Sequence, residues 1–503
     1  MDYLQHLLIP IVSTLLLLFL LKSFRNSKST GKYPPSPPAL PFIGHLHLLK
    51  SRLPTSLENL AKRYGPLMRI RLGAKEFVVA SDEKTAREIL KTFDADFASK
   101  FMTGPNTFHI YEDSSFVAAP YSDYWKFMKT LCMTRLFTGS QLDRFIGIGE
   151  EETCKLVKSL LKRSKAWEPC DLTEELSEVT NNMIYRMIVG RRCSKNLGQA
   201  AEIRNFILDS LKHAAKFQLG EMFGPLQKFD LFGNGKKIKS ALMGYDRLIE
   251  QIMKDYEDND LNNCGNDHEK DVMDILLETH KDTNAKVKLT RDQIKNFFME
   301  IFMAGVDTII AAIRSAMAEV INHPEVLKRL REEIDLVVGN NRLIDESSAS
   351  KLSYLQAVVM ETLRLHHPSP ILRRLSRKDS KINGFNINKG SRVFINISTI
   401  MRDPNRYAEP EKFIPERFLA NRGEVKGQDF HYMPFGSGRR ACPGSYLAIP
   451  VMHLTIGALI QCFDWEVKDG DKDDNKAKGS GYSGACPSPL VCYPNTRFDP
   501  FQA

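Results

Sequence analysis

The apolar positions of this chain change period along its length, and each change predicts a different kind of element. From Leu7 to Leu21 the sequence is apolar almost without interruption, with Ser13 and Thr14 the soft positions and Leu4 to His6 able to lengthen the run. At about 1.5 Å per residue, such a helix just crosses a hydrocarbon core of roughly 30 Å. A cleaved signal peptide is the other reading, but no small-x-small site follows; Lys22, Arg25, Lys28 and Lys32 do. Residues 1–22 are therefore expected to form an uncleaved signal-anchor transmembrane helix, single-pass, whose basic flank keeps the rest of the chain cytosolic. Residues 23–44 are basic and then dense in proline, from Pro34-Pro35-Ser36-Pro37-Pro38 to Gly44. Such a stretch suits polyproline II, as a rigid hinge or as a ligand for a PxxP-binding domain; its place between anchor and globule favours the hinge.

Beyond the hinge, a helical period over Leu57 to Tyr64 gives way to alternation over Met68–Leu72 and Phe77–Ala80, which predicts two strands. From about residue 82 to 330 the pattern is overwhelmingly helical, broken by turns such as Phe232-Gly233-Asn234-Gly235. A second strand-rich patch covers 381–397, with Gly384 at a turn. The charged segments Lys254 to Lys270 and Lys468 to Ser480 read as mobile loops. No internal repeat appears. The expected fold class is mainly α with small β-sheets at one edge.

Composition changes this picture little. A length of 503 residues would ordinarily suggest about three domains, but no linker interrupts residues 45–503, which read as one large domain. The formal net charge of +9 fits an anionic membrane or an acidic partner, and does not point to nucleic acid. The nine cysteines are scattered, odd in number and without CxxC spacing, so they read as reduced thiols of a cytosolic domain.

One cysteine has a functional context. Phe435-Gly436-Ser437-Gly438-Arg439-Arg440-Ala441-Cys442-Pro443-Gly444 sets it among glycines that let backbone approach a flat ligand, just before a helix-like run from Ser445. Pro443 suits the first turn of that helix, and a helix N-terminus favours the thiolate form of Cys442, which could bind iron. A long helix over Phe297 to Glu319 carries Ala304-Gly305-Val306-Asp307-Thr308. Glycine costs about 1 kcal/mol there relative to alanine, and threonine tends to bond back to the carbonyl four residues earlier, so the helix should carry a local defect. Ala304 and Thr308 share a face that could line a cleft for a small ligand; tight helix packing would also use such residues. Glu361 and Arg364 stand at i and i+3 on another helix.

These stretches resemble, in order and spacing, the motifs of the cytochromes P450, and the resemblance covers essentially the whole chain. It implies a haem-thiolate monooxygenase fold over 45–503. Cys442 would be the iron ligand, Phe435 would pack beside its sulfur, Gly438 and Gly444 would make room for haem b (iron protoporphyrin IX), and Arg440 would pair with a propionate. Trp125-Lys126-Phe127-Met128-Lys129 matches the family's Trp-x-x-x-Arg with lysine last, so Trp125 and Lys129 would also contact the propionates; Arg374, after Pro368-Ser369-Pro370, would offer another contact. Thr308 would bond dioxygen and Asp307 would relay protons. Glu361, Arg364 and Arg417 of Pro415-Glu416-Arg417-Phe418 would form a buried structural triad behind the cysteine loop. Ile309 and Ser315 depart from plant relatives, which carry a small polar residue and a tryptophan at those places.

The resemblance is closest to plant microsomal members related to flavone and isoflavone synthases and to triterpenoid-oxidising families. It implies residence in the endoplasmic reticulum membrane, with electrons from NADPH through the FAD and FMN of NADPH–cytochrome P450 reductase and with cytochrome b5 as a second donor. Lys126, Arg135 and Arg439 could form the basic docking patch. Substrate-facing positions would include Phe108, Phe116, Phe217, Ile301, Ala304 and Ile371. Their apolar character suits a terpenoid such as a pentacyclic triterpene better than a flavonoid, isoflavonoid or terpenoid lactone. A haem-thiolate isomerase or dehydratase, or a non-catalytic haem protein, is the alternative of another class.

Overall fold

The computed structural model describes residues 32–502 except 51, 102–110, 112–113, 194–196, 222–233, 263–269, 285, 421–428 and 468–488. The expected anchor over 1–22, the loop over Lys468 to Ser480 and the side chains of Phe108 and Phe217 lie outside what is described. The described strands are β1 Leu67–Leu72, β2 Lys75–Ala80, β3 Cys170–Asp171, β4 Ile371–Leu375, β5 Ser380–Ile382, β6 Phe385–Ile387, β7 Arg392–Asn396, β8 Phe463–Glu466 and β9 Val491–Thr496. The fold is mainly α with small sheets, and its described residues fall into two compact units.

Among the described residues, the smaller unit is built mainly from 32–101 and 371–399. Its sheet runs β1-β2-β7-β4, with β2 and β7 parallel and the other pairs antiparallel. Along β1, Met68, Ile70 and Leu72 are buried while Arg69 and Arg71 are half-exposed, the alternation of a one-sided sheet. The buried face meets Leu57 of the helix Leu53–Tyr64, and Phe77 stacks on Phe394 with ring centroids 4.6 Å apart. The proline-rich hinge is docked along β1. Arg69 N–H donates to the Pro35 carbonyl at 2.8 Å, and Arg71 N–H donates to His45 Nδ1 at 2.7 Å. That leaves His45 Nε2 as the donor to the Pro37 carbonyl at 2.8 Å.

The larger unit is helical around one core. Its central helix, Arg291–Asn322, has 32 residues, a length of about 48 Å. Thr290 and Gln293 form a capping box at its start, and Pro324 follows its end. It packs against the helices Leu172–Cys193 and Ser445–Cys462. Both Arg291–Asn322 and Ser445–Cys462 are apolar enough to cross a membrane, but their apolar windows are 56% and 67% buried, as core helices are. The helical stretch from 82 to 330 is interrupted: Trp167 adopts φ 55° and the chain passes through β3, which joins β9 and β8 in a second sheet. Lys254 to Asn262 is no loop but the end of the helix Asn234–Asn262, which also absorbs Asn234 and Gly235 of the expected turn. Ile249, Ile252, Met253 and Tyr256 form a buried stripe that runs into the start of the charged segment and carries the helix into it.

Gly190, inside the helix Leu172–Cys193, has φ 65° and kinks it. A Cβ there would lie 2.3 Å from Asp271 Oδ2. Tyr256 hydroxyl faces both the Val189 carbonyl and Asp271 Oδ2, the latter at 2.5 Å. Burial pushes the Asp271 carboxyl up to about 7, with the charge of neighbouring Asp274 adding to the rise and the hydrogen bond from Tyr256 and the charge of Arg144 opposing it. A carboxyl whose folded pKa is raised contributes stability that is present below its unfolded value of about 4 and lost as pH rises toward 7. Unfolding free energy is therefore expected to fall across that window, and Asp271→Asn to remove on the order of a few kcal/mol of the dependence in urea titrations at pH 5 and pH 8. Gly190→Ala is expected to lower stability by about 1–3 kcal/mol at either pH, since it combines a left-handed backbone with the contact to Asp271.

Candidate active site

The loop around Cys442 is shaped by left-handed glycines. Gly436 and Gly438 both sit at φ 73°, where a side chain would be strained. Cys442 N–H donates to the Phe435 carbonyl at 2.9 Å and Ala441 N–H to the Gly438 carbonyl at 3.0 Å, folding the loop back under the thiol. Gly444, not Pro443, stands at the N-cap of the helix Ser445–Cys462, so the proline precedes the helix rather than opening its first turn. A Cβ on Gly444 would come within 3.9 Å of Cys442 Sγ.

Cys442 is exposed, whereas its loop neighbours Ser437 and Arg440 are buried. Lys129 reaches over from the helix Asp123–Leu131 to donate its Nζ proton to the Ala441 carbonyl at 2.8 Å, and burial lowers its pKa. The Arg440 guanidinium lies 4.2 Å from the Trp125 ring centroid and donates to the carbonyls of Val117 and Ala119. Trp125, Lys129 and Arg440 are thus gathered at one loop. Among the described residues no group of three or more His, Cys, Asp or Glu could hold a metal. A single open thiol with glycines beneath it and cations beside it fits a planar, anionic group that brings its own ligands to the metal, as a porphyrin does.

On the central helix, Ala304 is exposed while Phe302, Val306, Ile309 and Ile310 around it are buried. Ile301 and Thr308 are half-buried on the same side, which leaves a small open groove in a core helix. Thr308 Oγ1 donates to the Ala304 carbonyl at 2.5 Å, the back-bond expected of it. Gly305 has another explanation: a Cβ there would meet Ile184 Cδ1 at 2.8 Å, so this glycine serves helix packing. Burial raises the Asp307 pKa, opposed by Arg204 with Nη2 3.8 Å from Oδ1. Asp307 and Arg204 line a water-sized cavity together with Asn181, whose buried Oδ1 has no partner there, as Arg204 Nε has none.

Sequence reasoning missed Arg204 and Asn181, whose local patterns carry no signal, and it missed Glu300. The Glu300 carboxylate accepts from Ser115 Oγ and from the backbone N–H groups of Phe116 and Val117, holding that turn against the central helix. Phe116 is consequently buried, with Trp125 at 6.2 Å and Phe297 at 5.7 Å between ring centroids. A glutamate one turn before Ala304 on a buried helix was the available clue.

Behind the loop, Glu361 is fully buried and accepts from Arg364 Nε at 2.7 Å, Arg364 Nη2 at 2.9 Å, Arg417 Nε at 3.1 Å and Ile414 N–H at 3.0 Å. Of the three cations proposed for a docking patch, Lys126 and Arg439 both lie against the Tyr121 ring, while Arg135 pairs with Glu278 at 3.5 Å. Ile371 and Arg374 stand on β4 of the smaller unit. Arg374 is buried, which pushes its pKa down to about 10.

A cytochrome P450 family model matches residues 34–491. The chain is 38% identical over 508 residues to 3,9-dihydroxypterocarpan 6A-monooxygenase of Glycine max, covering 99% of both. It is 36% identical over 494 residues to beta-amyrin 24-hydroxylase of Glycine max, covering 96% of both. A solved structure of a zebra fish cytochrome P450 with progesterone matches with a TM-score of 0.76 over 89% of this chain and all of that one; at 23% identity the likeness concerns the fold alone. The P450 resemblance and fold read from the motifs are borne out.

Removing Glu361 would leave the fully buried Arg364 and the half-buried Arg417 without their counter-ion. Glu361→Ala is expected to cost about 3–5 kcal/mol in urea unfolding. Exposed pairs such as Lys126 with Asp123, by contrast, should contribute about 0–1 kcal/mol in the same measurement.

Proposed function

The chain belongs to the cytochrome P450 family, and on that premise we propose that it inserts one oxygen atom from O2 into a hydrophobic plant specialised metabolite, a terpenoid such as a pentacyclic triterpene. It is a cytochrome P450 monooxygenase, and its family implies haem, O2 and a redox partner reductase. Among the described cysteines Cys442 alone is exposed, and that carries the assignment of the iron ligand. Haem held by the Cys442 thiolate would supply the oxygen-activating chemistry.

The remaining roles belong to the chain's own groups. We assign Trp125, Lys129, Arg374 and Arg440 to the propionates, Phe435 to the flank of the sulfur, and Gly438 and Gly444 to clearance for the ring. Asp307 keeps its proton to higher pH than a free aspartate because it is buried, which suits a group that hands a proton on. Thr308, its hydroxyl parked on the Ala304 carbonyl, is the next donor along that route. Residues 1–22 are assigned to a single-pass anchor in the endoplasmic reticulum, with electrons from NADPH arriving through the FAD and FMN of the reductase, or through cytochrome b5, at Lys126 and Arg439.

Phe108, Phe116, Phe217, Ile301, Ala304 and Ile371 are assigned to the substrate pocket. Such a lining matches a bulky skeleton with few polar groups, because a pocket without hydrogen-bonding groups gains little from hydroxyls on its ligand. The beta-amyrin relative supports the triterpene reading. The dihydroxypterocarpan relative favours a second one, a flavonoid or isoflavonoid.

The test pairs the full chain with a plant reductase in yeast microsomes, NADPH, labelled O2 and pooled triterpenes and flavonoids, read by mass spectrometry. A labelled triterpenoid is expected; a labelled flavonoid would overturn the substrate choice while keeping the chemistry. Cys442→Ser is expected to abolish activity and the red-shifted Soret band of the ferrous–CO complex. Thr308→Ala should keep that band and lose product per NADPH by at least about tenfold, as removal of a proton donor does.

A further inference from the structure

The larger described cavity lies far in sequence from the cysteine loop, within the smaller unit. Its volume is about 260 Å³, below the roughly 300–1,000 Å³ that encloses a drug-sized ligand. Its lining brings together Arg69 of β1, Arg392 of β7 and Lys389 of the turn before β7, against one acidic residue, Glu76. Among the described residues none of these three cations forms an ion pair with a carboxylate. Arg69 instead lies over the Tyr33 ring at 5.5 Å, and Arg392 over the Phe101 ring at 6.0 Å. Lys32, whose carbonyl accepts from the lining residue Asn386, lies over the Phe385 ring at 5.1 Å. Aromatic faces can orient a cation without neutralising it, so the positive charge stays available.

The walls narrow the choice of ligand. Backbone groups there are already committed: Asn386 N–H donates to the Lys32 carbonyl at 2.8 Å, Gly390 N–H to the Ser376 carbonyl at 2.8 Å, and Lys389 N–H to Asp379 Oδ1 at 2.6 Å. Recognition therefore falls to the side-chain cations, and the planar, forked guanidinium groups of two arginines can each pair with two oxygens of a tetrahedral phosphate. The position narrows it further. Tyr33 and Pro34 form one wall, directly after the basic run that follows the apolar stretch ending at Leu21. The chain from Leu21 to Lys32 can extend at most about 40 Å, so a membrane holding the apolar stretch keeps its headgroups within reach of the cavity.

We propose that this cavity binds the phosphate-bearing headgroup of an anionic phospholipid, holding the catalytic chain against the surface of the membrane in which it is anchored. This rests on the membrane reading of residues 1–22, but its test is separate from that reading. Removing a cation that faces an anionic lipid surface costs about 1 kcal/mol, or about fivefold in affinity.

The test uses the full chain in zwitterionic nanodiscs, titrated with dioctanoyl phosphatidylserine, dioctanoyl phosphatidylcholine or inorganic phosphate. The readout is hydrogen exchange of the amides of residues 385–392. Phosphatidylserine is expected to slow exchange and the other two to leave it unchanged, and Arg69→Gln, Lys389→Gln and Arg392→Gln should each raise the half-saturating concentration about fivefold. The ferrous–CO band checks that each variant is folded, and Lys389, exposed on a turn, supplies a variant that perturbs no strand. Equal protection by phosphatidylcholine, equal protection by inorganic phosphate, or indifference to all three substitutions would each overturn the proposal. Vesicle flotation of the same variants reports the anchor independently: loss of flotation indicts the membrane reading, while retained flotation without protection indicts the headgroup site alone.

Discussion

A single buried carboxylate organises the region behind the cysteine loop. Glu361 has no exposure to solvent and draws both arginines of its cluster inward. Those arginines then spend their remaining protons on the carbonyls of the following segment. Arg364 donates to Met401, Pro410 and Lys412, and Arg417 to Ala408 and Glu409. Tyr407 lies beneath both guanidinium groups and donates to the His431 carbonyl at 3.3 Å, two residues before Met433, whose carbonyl accepts from Gly436 N–H. An irregular segment that would otherwise bury unsatisfied carbonyls is thereby fixed by charge-assisted bonds, and it delivers the loop in one conformation. Such a cluster is better understood as holding a geometry than as adding stability, since desolvating three charges offsets much of their attraction.

Desolvation also tunes the titrating groups nearer the site, with a sign that follows their charge. It raises the Asp307 carboxyl and lowers the Lys129 ammonium, in each case favouring the neutral form. Their partners differ. Lys129 is held on a carbonyl of the cysteine loop, so its placement follows the loop; Asp307 is opposed by Arg204 across a cavity large enough for about one water. Chemistry that needs a proton moved at one place and a charge kept at another can thus be built from one physical cause.

The smaller unit shows the same economy of means at its surface. β1 turns Met68, Ile70 and Leu72 into its core and leaves Arg69 and Arg71 on the other face. His45 and Pro35 tie the hinge to that strand, so the rim of the basic cavity follows from strand register as much as from the hinge sequence.

The local patterns alone determined the fold class, the central helix, the two early strands and the identity of the cysteine loop. Each of these rests on residues close in sequence: alternation in β1, a capped apolar run from Arg291, and glycines flanking Cys442. The triad's members were legible only through the resemblance, because a shared helical turn links Glu361 to Arg364 but nothing local joins either to Arg417. What depended on distant encounters was not legible. The helix through Asn262 read as a loop because its charges concealed a stripe that only its packing partners reveal. Gly305 read as the mark of a helix defect, or of packing against an unknown neighbour, because nothing local announces Ile184. Glu300, Arg204 and the basic cavity required elements separated by a hundred residues or more to meet. Periodicity encodes which face of an element is buried, but not what covers it, and a hydrogen bond or a charge cluster exists only once the covering element has arrived.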